Sequence, residues 1–183
     1  RSFMADLKIT GLTSLAAATS RADLLHVIDD PSGTPANKKV TVGEMINALH
    51  APVKLSAGTQ TLTEATHAGR MLIVPDQSGA TILTLPTPKI GMSFQFTYGG
   101  IAADTVNTAI SAGTGNSIFF LGGVYHLDID GDTSAAVFSD NNSNELLTII
   151  NPQNYTVTCT GISATTWQLS GFVASATVPT IGD

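Results

Sequence analysis

The feature that most constrains the fold of this chain is a succession of short segments in which apolar and polar residues alternate. Alternation with a period of two places the apolar side chains of a β-strand on one face. Glycine, proline, aspartate and asparagine cluster between the segments, as is typical of turns. The predicted strands are 60–63, 70–74, 80–85, 92–98, 108–112, 117–121, 125–129, 146–150, 155–159 and 166–172.

This succession of strands and turns predicts an all-β domain over residues 54–183, an antiparallel β-sandwich or jelly-roll-like fold. Its last residues, 173–183, show no clear pattern and are predicted to form an extended C-terminal tail along a partner. Large aromatic side chains within strands are typical of a core or of a subunit interface. We expect one of these two positions for Phe94, Phe96, Tyr98, Phe119, Phe120 and Trp167.

Residues 1–53 have a different pattern, which predicts a small N-terminal arm in front of the β domain. Its predicted segments are, in order, a strand at 24–28, a turn at 29–33, a strand at 38–42 and a helix at 43–49. We expect Thr41 or Gly43 near the start of the helix, because threonine and glycine are common at helix caps.

An arm of this size cannot bury a core of its own. We therefore expect it either to anchor the protein on a partner or to pack against the β domain of its own chain. Under the first alternative, the anchoring segment consists of the apolar residues Ile9, Leu12, Leu15, Leu24, Val27, Val40 and Val42.

Charge is scarce in this chain, since only 12 % of the 183 residues are charged whereas 43 % are hydrophobic. An ordinary globular protein has charges at about a quarter of its residues. The low charge indicates either that much of the surface meets other protein or that Ser, Thr and Asn side chains cover it.

The net charge of −6 is carried by residues 51–183, because the charges of residues 1–50 balance. An acidic domain argues against nucleic-acid binding, which needs a positive surface to displace counterions. No apolar run approaches the length of a bilayer span, and no signal-peptide pattern is present. We therefore expect neither nucleic acid nor membrane among the partners.

The acidic segment 128–132 has the Asp spacing of some calcium loops. In a helix–loop–helix calcium loop, however, the sixth position is glycine and the twelfth is a bidentate glutamate. Here those positions are Thr133 and Ser139, so a strand that ends in an Asp-Gly turn is the favoured interpretation. The four histidines lack metal-ligand spacing, so the alternative is a site assembled in three dimensions, as when symmetric contacts bring three copies of one histidine together. No metal or other cofactor is expected.

Motifs of catalysis are also missing. The glycine-rich segment 113–117 is not followed by the Lys-Ser/Thr pair of a phosphate loop, and there is no Gly-x-Ser-x-Gly elbow. Carboxylate pairs for glycoside hydrolysis would have to come from aspartates in predicted turns, which are usually solvated. Cys159, the single cysteine, lies in an alternating run and is predicted to be a buried strand residue. We therefore expect no enzymatic activity.

Three stretches of the arm, 5–15, 22–29 and 34–42, resemble a leader found on structural proteins of tailed bacteriophages. They combine an Ile-x-x-Leu-x-x-Leu thread, an Asp-x-x-x-Val-x-Asp strand and a Lys-Lys-Val-Thr-Val strand. The later segments 69–74, 81–86, 91–97 and 166–171 are similar to the β domains of capsid decoration (cement), head-fibre and tail-fibre proteins. Domains of those classes commonly form trimers, so the resemblance implies a homotrimer in the virion.

The resemblance implies that the chain is a capsid decoration protein, which binds the major capsid protein on the outer surface of the shell and stabilises it. The alternative is a short tail fibre, baseplate or adaptor protein, whose partners would be tail proteins or a host receptor. A depolymerase attached to the virion is a third hypothesis, which the missing acid pairs disfavour. The arm leads almost directly into one domain, without the shaft of a receptor-binding fibre, and this brevity favours decoration.

Overall fold

The computed structural model describes residues 20–29, 31–101, 103–131 and 133–183. The chain forms two compact units, Arg1–Leu49 and His50–Asp183. Of the predicted anchoring residues, Ile9, Leu12 and Leu15 lie outside the described part of the chain. No helix among the described residues is long and apolar enough to cross a bilayer.

The first unit contains a β-hairpin followed by a helix, which confirms the predicted strand–loop–strand–helix arm. Strand β1 (Leu24–Asp29) pairs antiparallel with β2 (Ala36–Thr41), and helix α1 (Val42–His50) follows directly. All six residues of β1 are exposed. The hairpin therefore offers apolar surface on both of its faces.

Helix α1 begins with a reciprocal capping box, in which Thr41 is the cap and Glu44 the third helical residue. The Glu44 amide donates to Thr41 Oγ1 at 3.0 Å, and the Thr41 amide donates to Glu44 Oε2 at 2.8 Å. Gly43 is needed for the close packing of the helix start against Arg21, because a Cβ at this position would lie 2.9 Å from the carbonyl oxygen of Arg21. The Gly43 amide donates to that same oxygen, so the close approach requires glycine.

The second unit is an all-β sandwich, as predicted, with one seven-stranded and one five-stranded sheet. Its strands are β3 (Val53–Lys54), β4 (Gln60–Thr61), β5 (Met71–Val74), β6 (Thr81–Thr84), β7 (Ser93–Tyr98), β8 (Thr108–Ser111), β9 (Phe119–Asp128), β10 (Ala135–Phe138), β11 (Leu146–Ile149), β12 (Asn154–Gly161), β13 (Thr166–Ser175) and β14 (Thr180–Gly182). A one-turn helix, α2 (Glu64–His67), follows β4. The strand orders are β10-β9-β13-β12-β7-β5-β3 and β14-β11-β8-β6-β4.

The sheets are mixed rather than antiparallel throughout. From β3 to β8 the chain crosses to the opposite sheet after every strand. Each strand therefore returns beside the strand two places earlier and runs parallel to it, as in successive turns of a coil. The later strands pair mostly antiparallel, and the β12–β13 hairpin lies between β7 and β9.

The C-terminal residues do not form the extended tail that we expected from 173–183. Strand β13 continues to Ser175, and β14 pairs antiparallel with β11 at the edge of the five-stranded sheet. The three residues of β14 are too few to show a period of two, which explains why the pattern did not predict the strand.

The core lies between the inward faces of the two sheets. The rings of Phe94 and Trp167 meet edge to face at 5.6 Å between centroids, a geometry that stabilises aromatic pairs. Cys159 is fully buried, and desolvation raises the pKa of its thiol, so it is an inert core residue. Five of the six predicted aromatics lie in this core, namely Phe94, Phe96, Tyr98, Phe120 and Trp167, whereas Phe119 is half-buried.

Leu72 and Met71 are neighbours on β5 that face opposite ways, and they provide a matched test of this core. Leu72 is fully buried, whereas Met71 is 38 % exposed. We expect Leu72→Ala to lower the free energy of unfolding by about 2–5 kcal/mol, because it leaves a cavity. Met71→Ala should change it by less than about 1 kcal/mol. Chemical denaturation followed by fluorescence of Trp167, the single tryptophan, measures both, and equal losses would contradict the strand's orientation.

The capping box predicts a pH dependence of the arm. Hydrogen bonds from the amide and the hydroxyl of Thr41 lower the pKa of Glu44 below its usual value of 4.5. The cap therefore stabilises the helix above that pH and is lost as the pH falls through the lowered pKa. We expect the Thr41 amide resonance to titrate with a midpoint below 4.5 in NMR spectra.

The control for this titration is Glu44→Ala, in which the Thr41 amide should no longer titrate and should exchange with solvent faster. Met45→Ala removes an exposed neighbour outside the cap and should leave both observables unchanged. A Thr41 titration that persists in Glu44→Ala would show that another group causes it.

Candidate interaction surface

The outer face of the seven-stranded sheet carries exposed apolar side chains at one end, on strand β9. Residues of β9 alternate between the core and the outer face, because successive side chains of a strand point to opposite sides. Phe120 and Val124 are buried inward. Tyr125 and Leu127 point outward and are 49 % and 39 % exposed.

The strands on either side of β9 extend this apolar surface. In the register of β10 with β9, Ala136 lies opposite Tyr125 and Phe138 lies opposite Gly123. On the other side, Phe172 of β13 pairs with Tyr125. We define the β9–β10 face as the outward residues Leu121, Tyr125, Leu127, Ala136, Phe138 and Phe172.

Phe138 is the most exposed aromatic residue of this face, at 69 %. Its position depends on Gly123, where a Cβ would lie 2.0 Å from the carbonyl oxygen of Val137. The close approach of β10 to β9 therefore requires glycine at this point. Because Gly123 has no side chain to cover its neighbour, Phe138 stays open to solvent.

The rest of the outer face is polar but uncharged on β7 and β12. Its outward side chains are hydroxyls and two amides, from Ser93, Gln95, Thr97, Asn154, Thr156, Thr158 and Thr160. The outer face of this sheet thus has two kinds of uncharged surface, an apolar end and a hydroxyl-rich centre. The hydroxyl-rich centre is the polar, uncharged cover that one of the two alternatives predicts.

Carboxylates lie at both ends of β10. Asp128, at the end of β9, accepts hydrogen bonds from the Thr133 hydroxyl at 2.9 Å and from the Gly131 amide at 3.1 Å. Asp140, two residues after β10, accepts from the amides of Ser143 and Asn142, both at 2.9 Å. These hydrogen bonds hold the pKa of Asp128 and of Asp140 below the usual 3.8, so both are charged near neutral pH.

No lysine or arginine follows Lys89 in the sequence, so the acidic ends of β10 lack basic neighbours within the last half of the chain. The Asp-Gly turn predicted for 128–132 fits the hydrogen bonds around Asp128, while Asp132 lies outside the described residues. Among the described residues, no three His, Cys, Asp or Glu side chains come together as a metal site would require.

The predicted anchoring residues of the first unit differ in their exposure. Leu24 and Val27 are 59 % and 36 % exposed on the hairpin, whereas Val40 and Val42 are half-buried. The described anchoring residues therefore offer apolar surface mainly on β1. This surface belongs to the first unit, whereas the β9–β10 face belongs to the second.

The β9–β10 face was not predicted from the sequence. Five of the six predicted aromatics lie in the core and Phe119 is half-buried, and strand β10 was not predicted. The available signal was the short run Ala135–Phe138, which is apolar throughout and bounded by polar residues. Such a run favours a short strand, but only the register shows that Phe138 points outward.

No protein-family model and no curated protein matches this sequence.

Phe138 and Phe120 provide a test that separates the exposed face from the core. We expect Phe138→Ser to change the free energy of unfolding by less than about 0.5 kcal/mol, because its ring is mostly in water already. Phe120→Ala should lower it by about 3–5 kcal/mol, because that ring is fully buried. Binding of a hydrophobic dye to the folded protein should fall in Phe138→Ser, and unchanged dye binding would contradict an accessible apolar face.

Proposed function

We propose that this chain is a non-enzymatic structural protein of a tailed-phage particle, a capsid decoration protein that binds the outer surface of the shell as a homotrimer. The observation that carries the proposal is the β9–β10 face, which is apolar and uncharged on an otherwise acidic unit. Large exposed apolar patches on soluble proteins mark interaction sites. The resemblance of the arm and of the β domain to virion proteins is the reason for proposing that this interaction takes place in a phage particle.

The mechanism would be mechanical and would rest on buried surface. The hairpin of the first unit presents Leu24 and Ile28 at 59 % and 56 % exposure, which suits an anchor on a neighbouring capsid subunit. A stable protein interface buries on the order of 1,200 Å² or more. Three copies would bind through three such contacts at once, and avidity would make the attachment strong even if each contact is weak.

A second candidate, a tail protein that binds a host receptor, is favoured by one observation. The exposed ring of Tyr125 lies beside the half-buried ring of Phe172, which pairs with Thr156 on its other side. Aromatic rings next to hydroxyl groups suit a polysaccharide receptor, since rings stack on sugars and hydroxyl groups bind the sugar hydroxyls. A host-binding assay with the purified protein distinguishes this candidate, and cell binding that needs Tyr125 would favour it.

The proposal predicts density for this protein on the outer surface of intact capsids in electron cryo-microscopy, and labelling there by antibodies carrying gold. The added binding free energy should also raise the temperature at which the shell releases DNA. Phe138→Ser, which we expect to leave the fold intact, serves as the variant with a weakened surface. Density or label at the tail alone would overturn the decoration role.

The oligomeric state is measured in the same preparation. Light scattering of the purified chain should give three times its mass of 18.9 kDa. A monomer at micromolar concentration would contradict a preformed trimer, because avidity requires the copies to be joined before they bind.

A further inference from the structure

Strand β10 forms one edge of the seven-stranded sheet, and the hydrogen bonds around it tell which of its backbone groups are free. The Ser139 amide donates to the Gly122 carbonyl oxygen at 2.8 Å, so this pair belongs to the hydrogen-bonded positions of the ladder. Such positions recur at every second residue of an antiparallel pair. The N–H and C=O groups of Ala136 and Phe138 therefore point away from β9, toward the open edge.

This edge is less protected than the other three edges of the two sheets in the second unit. Natural sheets protect their edges with very short strands, charged residues or proline. The opposite edge of the same sheet, β3, has two residues and includes Lys54. The edges of the second sheet, β4 and β14, have two and three residues. Strand β10 has four residues, all apolar, without charge or proline.

The charges at the ends of β10 indicate what kind of strand can pair with it. Asp128 and Asp130 lie near its start, and Asp140 lies just beyond its end. Two copies of β10 that paired with each other would bring these carboxylates together in either direction, and like charges placed side by side repel. A second copy of this edge is therefore disfavoured, whereas a strand with basic residues at its ends is complementary.

We propose that the free edge of β10 is a docking site for an extended segment of another polypeptide, which adds to the seven-stranded sheet as one more strand. The segment has apolar residues at alternate positions and Lys or Arg at both ends. Its backbone pairs with the free N–H and C=O groups of Ala136 and Phe138, and its apolar side chains contact the Phe138 ring. This proposal goes beyond the capsid role, because it assigns the site and the chemistry of its partner without reference to a virion.

The probe is a synthetic peptide with the sequence acetyl-Lys-Val-Thr-Val-Thr-Val-Lys-amide, titrated into the full-length chain and followed by NMR. The amide resonances of Ala136 and Phe138 should shift most, and both amides should become protected from exchange with solvent. Binding should weaken about tenfold between 50 and 300 mM salt, because the end charges are exposed and screened. A peptide with Glu in place of both Lys residues should bind at least tenfold more weakly.

The matched variants are Ala136→Pro and Ala136→Ser. Proline at 136 removes a free edge N–H but no hydrogen bond to β9, and edge strands tolerate proline at such positions. We expect Ala136→Pro to bind the peptide at least tenfold more weakly and Ala136→Ser to bind within about twofold of wild type. Asp130→Asn should weaken binding about threefold, because it removes one end charge.

A change in the Trp167 fluorescence of Ala136→Pro would indicate that the proline disturbs the fold. The free edge is then tested with the wild-type chain and a modified peptide. A peptide N-methylated at the residues whose N–H groups face the edge should fail to bind the wild-type chain, and its binding would overturn the proposal.

Equal binding of the Glu and Lys peptides, or shifts confined to residues away from β10, would also overturn the proposal. So would self-association of the chain that Ala136→Pro abolishes, since a second copy would then be the occupant. Because no capsid is present, the peptide result is independent of the decoration role.

Discussion

Packing between the inward faces of the two sheets holds the second unit together, because the strands from β3 to β8 never pair with their neighbours along the chain. Each of these strands crosses to the other sheet, so its place is fixed by core contacts and by a partner one full turn of the coil away. The interior is accordingly dense in large side chains, with Phe94 and Phe96 of β7 fully buried against residues of β12 and β13.

The loops that make these crossings satisfy their own polar groups. The buried carboxylate of Asp104 accepts from the amides of Gln77 and Val106, and the Tyr98 hydroxyl donates to Asp76. Burial, together with that hydrogen bond, raises the pKa of Tyr98, so its hydroxyl stays a donor. The acids of the crossing loops thus act as structural acceptors, which leaves the exposed acids at the ends of β10 to set the charge of the outer face.

Much of this fold could be predicted from the sequence, because alternation is a local property. The strand Ser93–Tyr98 follows directly from it, and the hairpin and helix of the first unit follow from turn and cap signals that are equally local. Strand direction does not, since alternation is the same whether a neighbour runs parallel or antiparallel. A strand as short as β14 could not be predicted, because three residues show no period. The interaction surface could not be predicted for a related reason. The sequence does not distinguish an outward Phe138 from an inward Phe120 until the register is known.

The position of the β12–β13 hairpin has a consequence for how the protein is made. Strands β7 and β9 are both synthesised before this hairpin, which is the neighbour of each in the sheet. Until residue 175 has left the ribosome, we expect β3, β5 and β7 to be separated from β9 and β10, so that β7 and β9 each have an unpaired edge. Such edges are prone to pair with other chains, so truncation between residues 128 and 154 should produce aggregates rather than a smaller stable sandwich.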